Sequence, residues 1–153
     1  MADILKWTAD LSIGIELIDD QHRRIVEFIN RLNEARETAD KKAVGDVLAG
    51  LSDYTLSHFG FEEAAMKAAR FAGLAQHRRG HERFARQLAE FGHRYALGEE
   101  VDAELLDTLN KWLLNHIKRE DHEYMDVVKA ALSPQQLAQI LADLAPWPAA
   151  ASG

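Results

Sequence analysis

The sequence predicts an all-α fold: an up-down-up-down four-helix bundle with an N-terminal arm and a short extra C-terminal helix. Apolar residues recur at helical spacing along the chain, and no segment sustains the alternation of a half-buried strand. All three prolines lie in the last twenty residues, so no proline interrupts a helix before Pro134. Gly73, Gly98 and the polar stretch "ADKK" near residue 40 mark short connections, which make neighbouring helices antiparallel.

The elements follow in order from the arm to four amphipathic segments. Residues 1–17 show little helical periodicity and form the arm, which carries Trp7 and Ile15. Each later segment has a seam of positions at alternating steps of three and four residues, the pattern of a helix face turned toward a core. The four seams are Ile18, His22, Ile25, Ile29 and Leu32; Val44, Val47, Leu51, Tyr54, His58, Glu62 and Met66; Leu74, His77, His81, Phe84, Leu88, Phe91 and Tyr95; and Leu105, Leu109, Trp112 and His116.

A short helix is predicted near the C-terminus. "SPQQLAQILADL" starts with Ser133 as N-cap, Pro134 at the first helical position and Gln136 at the third, which is a strong helix-start signal. We expect a frayed tail in "APWPAAASG". The predicted organisation is a four-helix bundle with its arm over residues 1–131 and a C-terminal extension over residues 132–153.

Composition excludes several classes of protein. The net charge of -7 argues against a nucleic-acid binder, because such proteins neutralise phosphates with positive charge. No segment approaches the ~20 apolar residues of a membrane helix, and the N-terminus lacks the apolar run of a signal peptide. We therefore expect a soluble, cytoplasmic protein. The chain has no cysteine, so a metal would have nitrogen and oxygen ligands.

Five of the seven histidines occupy seam positions where a bundle normally has leucine or isoleucine. One seam histidine alone is usually a satisfied core residue, and an i,i+4 pair often lies on a solvated face. Glu62 adds a carboxylate one turn after His58, and buried charges are unfavourable unless they are paired or bind metal. Because all four helices contribute to one seam, a metal site is the better explanation. His93 and His122 lie off the seams and are predicted to be surface residues.

The number of donors favours two metal ions. Five imidazoles and a carboxylate exceed the four ligands of a closed zinc site, and this ligand set suits iron better than calcium or magnesium. Manganese, cobalt or zinc could occupy the site in vitro. A ferritin-like di-iron bundle would need Glu-x-x-His on two helices. Here only Glu90-Phe91-Gly92-His93 has that spacing, and His93 is off the seam.

The arrangement of these residues resembles the hemerythrin family, most closely its bacterial single-domain members. The family pattern is a lone His, then His-x-x-x-Glu, His-x-x-x-His and His-x-x-x-x-Asp. This chain has His22, His58…Glu62, His77…His81 and His116…Asp121 in that order. The stretches "LSIGIELIDDQH" and "LSDYTLSHFGFEE" also resemble the family. "RFAG" departs from the family's usual aromatic-proline-glycine turn.

The resemblance implies a ligand set for two irons. His77, His81 and His116 would hold one iron and His22 and His58 the other, with Glu62, Asp121 and an oxo or hydroxo group as bridges. Dioxygen would bind at the open position of the second iron. Spacing alone favours Glu120 over Asp121, because five residues correspond to a helical rotation of about 140° past His116. Asp121 therefore requires a widened turn between residues 117 and 121.

The resemblance also implies an apolar oxygen pocket and a function. The pocket residues here are Phe59, Trp112, Leu113 and Ile117, which are equally expected as core residues. We expect reversible dioxygen binding for storage, delivery to an oxygen-using protein partner or scavenging, and no catalytic residues. Two alternatives remain open: an oxygen or redox sensor, and a di-iron enzyme acting on oxygen, peroxide or nitric oxide.

Overall fold

Long helices make up most of the described chain, which covers residues 5–144 of a computed structural model. A 3-10 turn (Ala9–Leu11) precedes the first helix, and a π-helical segment (His116–Asp121) separates the fourth helix from the fifth. The helices are α1 (Glu16–Glu37), α2 (Lys41–Ala68), α3 (Leu74–Ala96), α4 (Asp102–Asn115), α5 (His122–Ala131) and α6 (Pro134–Asp143).

The bundle is formed by α1, α2, α3 and the rod that runs through α4, the π-helical segment and α5. The first helix packs against α2 and α4, and α2 also packs against α3. The seam leucines and isoleucines of the four segments lie in one buried core or pack against it. The predicted all-α architecture is therefore confirmed, and the π-helical segment lies where Asp121 was expected to require a widened turn.

The connections between the helices lie where the glycines and polar residues of the sequence predicted them. Between α1 and α2, the Asp40 carboxylate caps α2 by accepting from the Ala43 amide at 3.0 Å. Gly98 has φ 90° between α3 and α4, a conformation that favours glycine. Gly73, before α3, leaves room for the Phe71 ring, which a Cβ at that position would approach to 2.7 Å.

The N-terminal arm lies against the bundle. Leu11, Ile13 and Ile15 are all buried. The buried Asp19 carboxylate accepts hydrogen bonds from the Ile13 amide, at 2.9 Å, and from the Ser12 hydroxyl. These contacts fix the arm at the start of α1, the helix that provides the first seam histidine.

The C-terminal helix has the predicted cap and packs on the bundle. The Ser133 hydroxyl accepts from the Gln136 amide at 3.1 Å, and the Gln136 side chain accepts from the Ser133 amide at 2.7 Å. Leu137 is buried, and α6 contacts α2. The expected frayed tail, residues 145–153, lies outside the described residues, and the division of the chain at residue 131 stays a prediction.

Candidate metal centre

Three helices and the π-helical segment bring seven predicted side chains to one buried position. All seven are at most 5% exposed. The i,i+4 spacing on α2 and α3 places each pair on one helix face, which explains why regular helices suffice there. The side chains come from α1 (His22), α2 (His58 and Glu62), α3 (His77 and His81) and the π-helical segment (His116 and Asp121).

Asp121 reaches the interior because the helix widens next to it. A π turn has more residues than an α turn, so the fifth residue after His116 returns to the face of that histidine. The widened turn expected at residues 117–121 is present. The side chain of His122 is hydrogen-bonded to this widened turn: its Nδ1 donates to the Ile117 carbonyl at 2.6 Å. His122 is half-buried, so the prediction that it lies on the solvated surface was wrong. His93 is exposed, as predicted.

One group of donors contains three imidazoles. His77, His81, His116 and Glu62 each offer a ligand atom, and these atoms lie within 4.8 Å of one another. Nε2 of His81 lies 3.2 Å from Glu62 Oε1, and Nε2 of His116 lies 3.3 Å from the same oxygen. We call this group the three-histidine pocket.

The second group contains two imidazoles and two carboxylates. Its members are His22, His58, Glu62 and Asp121, again with ligand atoms within 4.8 Å of one another. Nε2 of His22 lies 3.0 Å from Asp121 Oδ2, and Nε2 of His58 lies 3.1 Å from Glu62 Oε1. We call this group the two-histidine pocket.

Both carboxylates stand between the pockets. Glu62 belongs to both groups. Asp121 faces the three-histidine pocket with Oδ1, which lies 3.2 Å from His77 Nε2 and 3.0 Å from His116 Nε2. Its other oxygen, Oδ2, faces His22. A carboxylate with one oxygen toward each pocket has the position of a bridging ligand.

Several of these buried atoms lack a hydrogen bond. Within residues 5–144, no group makes one with either Asp121 oxygen or with Nε2 of His77 or His81. Such atoms are costly to bury unless something else satisfies them. Imidazole nitrogens and carboxylate oxygens that converge in this way fit a bound cation, and a mixed nitrogen and oxygen donor set suits iron.

The seven side chains, which we call the cage, bring carboxylates and imidazoles into strong electrostatic interaction. Burial raises the pKa of Glu62, but His58 and the other imidazoles outweigh it and hold the pKa well below its usual range. Burial and Glu62 raise the pKa of Asp121, and His116 and His22 still lower it overall. Burial lowers the pKa of His58. Burial also lowers the pKa of His81 and His116, but the surrounding carboxylates outweigh it and raise both. Metals coordinate ionised carboxylates and neutral imidazoles, so a metal bound here would displace protons from those two rings.

A phenol that the seam pattern did not single out contacts the bridging position. Tyr124 of α5 is fully buried, and its hydroxyl donates to Glu62 Oε2. Burial, together with the charges of Asp121 and Glu62, raises the pKa of Tyr124 well above its ordinary value. The phenol therefore stays protonated and orients Glu62. Tyr124 lies three residues after Asp121, about one helical turn further along the rod.

Three further side chains contact the outer nitrogens of the imidazoles. Gln21 Oε1 lies 2.6 Å from His58 Nδ1, and Glu63 Oε2 lies 2.9 Å from His81 Nδ1. The carboxylate of Glu120 lies 3.0 Å from His116 Nδ1. Glu120 therefore lies beside that histidine, as its spacing predicts, but the contact is on the outer side of the ring.

The predicted apolar pocket is packed around the imidazoles. The Phe59 ring stacks on His81 with centroids 3.8 Å apart, and Trp112 stacks on His116 at 4.7 Å. The other two members, Leu113 and Ile117, are fully buried, whereas Trp112 is half-buried. The two stacked rings therefore lie against imidazoles of the three-histidine pocket.

Comparison with known proteins agrees with this geometry. The fold and the buried cage define a metal-binding helical bundle. The sequence profile described as the hemerythrin HHE cation binding domain matches residues 13–128, and the chain belongs to this family. Bacteriohemerythrin of Stenotrophomonas maltophilia is 45% identical over 130 residues, which is 85% of each chain. Bacteriohemerythrin of Pseudomonas aeruginosa is 43% identical over 129 residues, or 84% of each chain.

A solved structure shares the fold. The crystal structure of wild-type hemerythrin has a TM-score of 0.78 and 28% identity, and the match covers 82% of this chain and 98% of that one. The family binds a di-iron centre, and the two groups of donors in this chain fit such a centre. Within residues 5–144, none of the helices combines the length and apolar character needed to cross a membrane.

Proposed function

We propose that this protein binds dioxygen reversibly at a di-iron centre. The observation that carries the proposal is the pair of buried pockets that share Glu62 and lie on either side of Asp121. Oxygen storage, delivery to an oxygen-using partner and scavenging all follow from the same binding step. The proposed ligands are His22, His58, Glu62, His77, His81, His116 and Asp121.

The unequal number of imidazoles supports a ligand position on one side. Three imidazoles line one pocket and two line the other, while Glu62 is shared and Asp121 faces both. The two-histidine pocket is therefore one protein donor short of its neighbour, which would leave a coordination position there for a small molecule. Two ferrous ions in the cage would supply one electron each to dioxygen.

The protein's own contribution is to position the donors and to exclude water. Tyr124 orients Glu62, and the rings of Phe59 and Trp112 stack on His81 and His116 of the three-histidine pocket. Phe59 also borders the two-histidine pocket, with its ring centroid 6.0 Å from that of His58. An apolar wall at this position would withhold water and protons from the bound gas, so that dioxygen can leave unchanged. This wall favours a carrier over an enzyme, which would need a route for protons and substrate.

Optical spectra test the proposal. The reduced protein should be nearly colourless under argon, develop an absorption band in air and lose it when oxygen is removed. A band that lasts many minutes supports a carrier. Rapid conversion to the ferric state with continued consumption of a reductant would instead support a di-iron enzyme. A spectrum unchanged by air would contradict oxygen binding altogether.

A further inference from the structure

The two pockets differ in what lies behind their imidazoles. In all five proposed histidine ligands, Nε2 points at a carboxylate of the cage, at 3.0 to 3.2 Å. The other ring nitrogen, Nδ1, is then available for a partner outside the cage. Such partners fix the tautomer and tune how strongly an imidazole donates to a metal.

Carboxylates stand behind two of the three imidazoles of the three-histidine pocket. Glu63 accepts from His81 at 2.9 Å and is itself held by Arg78, whose Nε donates to Glu63 Oε1 at 2.8 Å. Glu120 accepts from His116 at 3.0 Å.

The two-histidine pocket has no such carboxylate among the described residues. Gln21, which is buried, presents a neutral amide oxygen to His58 Nδ1 at 2.6 Å. Nδ1 of His22 is buried, and nothing in residues 5–144 hydrogen-bonds to it. His58 therefore has an amide partner at Nδ1, and His22 has no hydrogen-bond partner at Nδ1 within residues 5–144.

We propose that this asymmetry makes metal loading ordered, with Gln21 keeping the two-histidine pocket the weaker site. A carboxylate partner makes an imidazole a better donor than an amide does, and its charge also attracts a cation. The three-histidine pocket thus fills first and empties last. A form with one metal ion per chain is an intermediate of loading. This inference rests on the proposed di-iron site.

Chelator titration of the loaded full-length chain tests the order. Protein loaded with Co²⁺ under argon is equilibrated with increasing chelator, and the metal retained per chain is measured. The parent should lose its ions in two separate steps. Gln21→Glu should tighten the first-lost ion about tenfold and leave the other unchanged, since outer partners typically change affinity by about 10–100-fold.

Two further variants test the other pocket and the effect of added charge alone. Glu63→Gln should weaken only the last-lost ion, and it replaces a partly exposed side chain, so it is expected to fold. Gln87→Glu, on the exposed face of α3, adds the same charge as Gln21→Glu and should change neither step. Both steps unchanged in Gln21→Glu and in Glu63→Gln would overturn the inference while leaving a two-metal site. Fewer than two ions in the loaded parent would instead overturn the proposed function.

Discussion

Asp121 Oδ2 lies 3.0 Å from His22 Nε2, and both side chains are fully buried. One residue ends the π-helical segment and the other lies in the first helix, so the contact closes the cage between elements far apart in the sequence. It exists only because the turn before Asp121 is widened. The same carboxylate faces His116 with its other oxygen.

Iron content and stability should fall together when a proposed ligand is removed. The parent should contain about two irons per chain after anaerobic reconstitution, measured by elemental analysis. His77→Ala should lose iron and melt at a lower temperature, because metal binding and folding are linked. Removing iron from the parent with a chelator should lower its melting temperature too. A parent with one iron or none would contradict the ligand set.

Tyr124→Phe should weaken the cage without emptying it. The change removes the donor to Glu62, which should lower the free energy of unfolding by about 1–3 kcal/mol. Tyr95→Phe is the matched control, since Tyr95 also donates one hydrogen bond, to the Lys41 carbonyl at 2.6 Å. Only Tyr124→Phe should make iron easier to remove by a chelator. Equal iron retention in the two variants would show that the phenol does not orient Glu62.

Leu113→Ala should speed conversion of the oxygenated protein to the ferric state. The fully buried side chain leaves a cavity when shortened, and a cavity next to polar groups admits water. Iron content should stay near two. Leu97→Ala, at a side chain that is 69% exposed, is the control and should oxidise at the parent's rate. Matching rates in both variants would mean that Leu113 does not guard the site.

Deleting residues 133–153 should lower the melting temperature and leave iron content near two. The deletion exposes the surface of α2 that α6 covers and removes the buried Leu137. Deleting only residues 145–153 keeps α6 and should preserve the melting temperature. If the longer deletion changes neither melting nor sedimentation, α6 contributes to neither stability nor association.

The helical core and most of the site could be predicted because both follow local spacing. His58 with Glu62 and His77 with His81 are i,i+4 pairs on regular helices, so their shared direction is readable from the sequence. The cap of α6 also depends only on neighbouring residues. The capping box that begins at Ser133 was accordingly predicted correctly.

The remaining site residues depend on irregular or tertiary geometry. Asp121 was found by resemblance, since a π turn changes the angular spacing that an ideal helix assumes. Gln21 reaches His58 from another helix, and Glu63 reaches across to α3 in the same way. No spacing along one segment encodes those contacts. Tyr124 contacts the α2 carboxylate across the bundle, so its role could not be read from its own helix either.

The most direct test of the central claim is the amount of oxygen bound per iron. Reduced protein of known iron content is titrated with dioxygen in a closed cell, and the gas is recovered by purging with argon. Reversible binding at a di-iron centre predicts one dioxygen bound per two irons and its recovery as dioxygen over repeated cycles. Oxygen that is consumed without being recovered, or no uptake by protein containing two irons, would contradict it.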